Sequence, residues 1–199
     1  MRKSDITRGK ILKAAEKAFA LRGFYGASVN DIADTAAVNK RMIYAHFENK
    51  ESLYIAVIDE AFRRLAEAED TLLKQNLDCV EAVEKIIEHY FKFFAKNKAF
   101  VKIIMRENIN EGMFFKKTST HFVKITSVEL LKTKIKQGKE NGTFKSCLDV
   151  EDAAFMIINL CFSCFSNAYL LGDIMQKSFA GEVQKMCAET KDICMRLLS

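Results

Sequence analysis

Three capping residues, Ser28, Asn39 and Asn49, cut the stretch Ser28 to Glu51 (SVNDIADTAAVNKRMIYAHFENKE) into two short helices and the start of a third. A short polar side chain at such a position accepts a hydrogen bond from a backbone N–H that the helix leaves unpaired. Ser28 with Asp31 has the S-x-x-D form of a capping box. Ile32, Thr35 and Ala36 then share one face at helical spacing, with small Ala33 beside it for close approach. Ala37-Val38 makes a brief break. Asn39 opens the helix from Lys40 to Phe47, in which Ile43 and Phe47 point inward and Lys40, Arg41, Met42, Tyr44 and His46 face out. The rest of the chain is organised around this stretch.

Two helices joined by a tight turn, the second with a basic outer surface, make a helix-turn-helix. A helix fits the major groove of B-DNA, and the N-terminal residues of the second helix reach base edges. Lys40, Arg41 and Met42 are therefore expected at bases. Ser28, Tyr44, His46 and Lys50 are expected at phosphates, with Lys50 on a helix first turn whose free N–H groups also attract an anion. The order of residues resembles the TetR-type transcriptional repressors over roughly residues 6 to 55. An amphipathic helix ends near Gly23-Phe24, Ser28 opens the next, and Val38-Asn39-Lys40, Ile43-Tyr44, Phe47 and Asn49-Lys50-Glu51 follow in the family's order. Two positions depart from the pattern. Ala37 stands where the family usually has a turn glycine, so the turn is made without a glycine or with strain. Arg41 and Met42 replace smaller residues, which makes the base-reading surface bulkier.

Charge supports a polyanion partner. Residues 1–50 hold 10 Lys and Arg against 5 Asp and Glu, whereas the remaining 149 residues hold 21 of each, so the whole net charge of +5 lies with the motif. Residues 1–50 are read as the DNA-binding domain and 51–199 as a helical domain for effector binding and dimerisation. With no proline and only 8 glycines, an all-α fold is expected throughout. No secretory segment opens the chain, and six cysteines without one read as reduced cytosolic thiols.

Helical spacing continues along the chain. Thr7 to Arg22 is amphipathic and is read as ending at Gly23. Further helices are expected from Glu51 to about Asn76, from Asp78 to Asn97, from Ala99 to Asn108, from Met113 to Gly138, and from about Ser178 to Leu198. Val150 to Leu171 is the most apolar stretch. Asn159, Ser163, Ser166 and Asn167 form a polar stripe along it, opposite Phe155, Ile158, Phe162, Phe165 and Tyr169, which argues against a membrane span. Val183, Met186, Cys187, Thr190, Ile193, Cys194 and Leu197 give the last helix a packing seam. These last two helices resemble the pair with which TetR-type repressors form a four-helix dimer contact. The resemblance thus implies a homodimer, with that stripe and that seam as its interface.

It also implies a small-molecule site among the central helices. Pockets between helices are mostly apolar, so a hydrophobic or aromatic effector is expected, lined by Phe91, Phe94, Phe100, Ile104, Phe115, Phe155 and Phe162. The alternative is a redox- or metal-responsive regulator using Cys161 and Cys164, whose C-x-x-C spacing is also compatible with small core residues. His89 and His121 have no partners at ligand spacing. No nucleophile elbow, zinc-protease signature, phosphate loop or dinucleotide fingerprint occurs, so neither an enzyme nor a cofactor is expected.

Overall fold

A computed structural model describes residues 3–73, 76–119, 125–147, 149–176 and 181–199. Among them are ten α-helices, one 3-10 turn and no strand. The helices are α1 (Lys3–Gly26), α2 (Val29–Ala36), α3 (Lys40–Phe47), α4 (Lys50–Leu73), α5 (Cys79–Lys96), α6 (Lys98–Ile109), α7 (Thr126–Glu140), α8 (Val150–Ser166), α9 (Ala168–Ile174) and α10 (Val183–Leu198). His121 and the expected helix segments at 74–75, 120–124 and 178–180 lie outside the described residues. The chain forms two compact units, Met1–Arg64 with Lys98–Val123, and Leu65–Asn97 with Lys124–Ser199.

The first unit closes around Ile11, Ala15, Phe19, Ile32, Ile43, Phe47, Leu53, Tyr54 and Phe114. Gly23, at φ 71°, breaks the helical path of α1, but the chain makes one more turn to Gly26. Arg64 donates to Glu16 through both terminal nitrogens, Nη1 reaching Oε2 at 3.0 Å, which ties α4 to α1. The caps at Ser28, Asn39 and Asn49 all form. The capping box at Ser28 does not: its hydroxyl accepts from Asn30 N–H, while Asp31 pairs with Arg22 across to α1.

Between α2 and α3 the chain turns on Ala37, at φ 54° and ψ 47°. This left-handed conformation crowds a Cβ against the backbone. It is held because the N–H groups of Ala37 and Val38 satisfy the carbonyls of Asp34 (3.1 Å) and Ala33 (3.0 Å). Ala37→Gly is expected to stabilise the protein by about 1 kcal/mol, the relief of a left-handed non-glycine residue less glycine's entropy cost. Thermal unfolding measures it, and an unchanged or lower melting temperature would contradict the expectation.

In the second unit α5 opens with a complete capping box, Asp78 with Glu81, and buries a face from Val83 to Phe94. Helix α7 begins at Thr126, not at Met113. Residues 113–119 are turn and 3-10 backbone, because Glu107 captures the N–H groups of Phe114 and Phe115 that a helix would use otherwise. No side chain at Ile125 caps α7. The buried Glu69 of α4 does so instead, with Oε2 accepting from Ser127 N–H (3.1 Å) and Oε1 from Ser127 Oγ (2.5 Å). With the Ser127 proton so committed, Tyr90 donates its own to Ser127 Oγ at 2.7 Å.

The apolar stretch after Asp149 is not one rod. It breaks at Ser166-Asn167 into α8 and α9, bent by 75°. Asn167 directs its side-chain amide at Ser163 Oγ (3.0 Å) and its N–H at the Ser163 carbonyl, which ends α8. Among the described residues no single helix is long and apolar enough to cross a membrane.

Candidate nucleic-acid interface

Helix α3 is anchored by Ile43 and Phe47, both buried, and is aligned by Asn39 Oδ1 on Met42 N–H at 2.9 Å. Lys40, Arg41, Met42 and Tyr44 are exposed on its outer side, and His46 is half-buried beside Phe47. Lys40 Nζ sits 5.8 Å from the centre of the Tyr44 ring, so an exposed cation and an exposed phenol lie together. This places all five residues expected from the sequence on one short helix.

Ser28 uses its hydroxyl oxygen as the α2 cap (3.2 Å). Its O–H proton remains available as a donor. Lys50 is oriented more closely than its sequence position implies. Its ammonium lies 5.0 Å from the centre of the Phe24 ring and donates to the Tyr25 carbonyl at 3.4 Å. Burial lowers its pKa. Tyr25, strongly exposed at the end of α1, drew no attention in the sequence because a lone surface aromatic carries no periodic signal.

Two family models match the chain: bacterial regulatory proteins of the tetR family at residues 11–57, and the tetracyclin repressor-like C-terminal domain at residues 80–190. The chain belongs to the TetR family. It is a DNA-binding transcriptional regulator. It is 30% identical over 183 residues to the HTH-type transcriptional repressor NicS of Pseudomonas putida, an alignment covering 92% of this chain and 86% of NicS. An uncharacterised HTH-type regulator of Bacillus subtilis, YdgC, is 27% identical over 181 residues, 89% of this chain and 88% of its own. The solved fatty acid degradation regulator FadR of Bacillus halodurans shares the fold, with a TM-score of 0.74 at 21% identity and 94% of each chain covered.

The residues expected to line an effector site divide between the two units. Phe91, Phe94 and Phe162 belong to the second, where Phe94 meets Phe162 at 5.6 Å and Phe165 at 5.7 Å, and Phe91 meets Phe165 at 5.4 Å. Phe100, Ile104 and Phe115 belong to the first, where Phe62 contacts Phe100 (5.3 Å) and Phe115 (5.2 Å). Phe155 faces outward with 66% of its surface exposed, so it lines no interior of its unit.

The residues expected at the dimer contact also separate. Asn159, Asn167 and Ile193 are exposed, Ser163, Ser166, Val183 and Cys187 are half-buried, and Met186 and Thr190 are buried within their own chain. Met186 and Thr190 lie on the inward side of α10 with Cys194 and Leu198, and little surface is left on them within this chain. Also outward are Phe155 and Met156 on α8 and Leu197 on α10.

The thiols do not resemble a sensor. Cys161 is fully buried, and burial followed by the neighbouring cysteines raises its pKa well above the usual thiol range. Burial pushes Cys194 up to about 11. Cys164 Sγ lies 3.8 Å from Thr190 Oγ1, in the seam between α8 and α10. Protonated thiols are weak ligands and weak nucleophiles. Among the described residues no cluster of His, Cys, Asp or Glu could hold a metal ion.

Proposed function

We propose that this protein is a dimeric repressor that reads a two-fold operator through α3 and leaves it when a small hydrophobic or aromatic effector binds the second unit. The outer side of α3 carries the reading: two cations, Met42 and Tyr44 on a helix whose other side is locked into a core. Arg41 reads a base, and guanine offers the two acceptors its planar fork matches. Lys40 and Met42 lie beside it at base edges. Ser28, Tyr44, His46 and Lys50 hold phosphates and set the register. In a two-fold dimer the recognition helices stand about 34–36 Å apart, one turn of duplex.

Repression is supported by the relationship to NicS. A ring-rich interior around Phe91, Phe94 and Phe162 supports an apolar effector. Helix α4 carries Lys50 at one end and Glu69 near the other without interruption. An effector that prefers the non-binding conformation shifts the population towards it, and near-complete reversal requires about 5.5 kcal/mol of preference.

The experiment is enrichment from a random duplex library followed by titration at several salt concentrations. Lys50→Ala is expected to weaken all duplexes alike and to reduce the salt slope by about one ion. Arg41→Ala is expected to cost about 1–3 kcal/mol on the selected duplex only, with relaxed preference at one base pair. Preference unchanged in Arg41→Ala would remove Arg41 from the base-reading set.

A further inference from the structure

Glu107 lies on α6, well outside the residues that match the tetR DNA-binding family, yet its carboxylate is buried within the first unit. Its Oε2 accepts from the N–H groups of Phe114 (3.1 Å) and Phe115 (2.9 Å). That turns the chain back after α6 and brings the Phe114 ring 4.4 Å from Phe24 and 5.0 Å from Tyr54, centre to centre. Its Oε1 and the Tyr54 hydroxyl are both enclosed, and among the described residues neither makes a hydrogen bond. Burial, and then the charge of Glu107, raises the Tyr54 pKa, so the phenol keeps its proton and is a donor.

The neighbouring residue grips a second helix. Arg106 Nη2 donates to the Leu21 carbonyl at 2.8 Å, and its guanidinium fills the space beside Gly23 that a side chain there would need. Consecutive residues of α6 therefore hold the end of α1 and the first turns of α4 together. Tyr54 lies one turn beyond Lys50 on α4. Tyr25, whose carbonyl accepts the Lys50 ammonium, lies one turn beyond Leu21.

We infer that Glu107 is a positioning residue for operator binding: it fixes α4 against the end of α1, and through them the register of α3 on the duplex. Glu107 touches no DNA in this arrangement. The inference rests on the reading of the first unit as the DNA-binding one.

The test uses the full-length protein, titrated well below its melting temperature with a duplex enriched from a random library and with a scrambled duplex. Glu107→Ala is expected to weaken the selected duplex about tenfold, the scale of a lost base contact, with the scrambled duplex and the salt slope unchanged. Glu107→Gln is expected to stay within about twofold of the parent, because its amide oxygen still accepts both N–H groups and its amide nitrogen donates to Tyr54. Should Glu107→Ala unfold, Tyr54→Phe removes only the enclosed hydroxyl beside Glu107 and is expected to weaken the selected duplex about threefold. A folded Glu107→Ala with parental affinity, or equal weakening on both duplexes, overturns the assignment. If Glu107→Ala does not fold, parental affinity in Tyr54→Phe overturns it instead. A parent protein that selects no duplex would instead sink the DNA-binding reading beneath it.

Discussion

Phe114→Ala is expected to cost the protein about 3–5 kcal/mol of stability, the usual range for deleting a buried phenylalanine. The ring is almost wholly enclosed and touches Phe24 and Tyr54, which in turn contact Phe19. Removing it empties one end of a four-ring cluster. The cavity would open beside the buried Glu107 carboxylate, where loss of the ring also frees the turn that supplies two of its donors. Lys117, whose ammonium lies 5.8 Å from the centre of the Phe114 ring and 2.7 Å from Glu51, loses half of its anchorage. A fall of roughly 10 °C in melting temperature is expected for a chain of this size. Circular dichroism during heating measures it. A fall of only a degree or two would mean that the cluster collapses to fill the space, and that its rings are not close-packed.

What sequence spacing can convey explains which features it anticipated. Ser28, Asn39, Asn49 and Asp78 all cap helices as their local context implies, because a cap bonds to backbone two or three residues away. Ile43 and Phe47 point inward and the cations of α3 outward for the same reason: helical period is a local property. The strained turn at Ala37 was also foreseeable, since the next helix begins too soon for a looser connection. Failure begins where partners are distant in the chain. Asp31 forsakes the cap for Arg22. Residues 113–119 carry helix-forming spacing, but a carboxylate on α6 takes their N–H groups. Glu69 caps a helix that starts 57 residues after it, at Thr126, a relation no window of neighbouring residues contains.

Phe155 departs from the expected place for a second reason. Spacing distinguishes one face of a helix from another, but a face that meets its own chain and one that meets a second copy are both apolar. Spacing therefore expects Phe155 in the effector site and the polar stripe at the dimer contact. The structure leaves Phe155 66% exposed.

Phe155→Asp is accordingly expected to yield a folded monomer with greatly weakened operator binding. In the single chain the Phe155 side chain supports little packing, so its loss leaves the fold intact. Phe155, Met156 and Asn159 are exposed along α8, and Ile193 and Leu197 along α10, to which α8 packs. An apolar face of this kind meets a second copy more readily than an anionic lipid surface, since Glu151, Asp152 and Asp173 flank it and would be repelled there. A carboxylate at its centre would be desolvated without a partner in a dimer, which costs several kcal/mol for each of the two copies. Separated heads then bind half-sites singly. The loss of effective concentration is worth about 100-fold or more in affinity for the two-fold duplex, with binding to one isolated half-site unchanged. Sedimentation measures the mass and titration with full and half operators the affinity. A Phe155→Asp protein that remains a dimer would move the contact elsewhere on the chain. One that is monomeric yet binds the full operator at parental strength would show that each head acts alone.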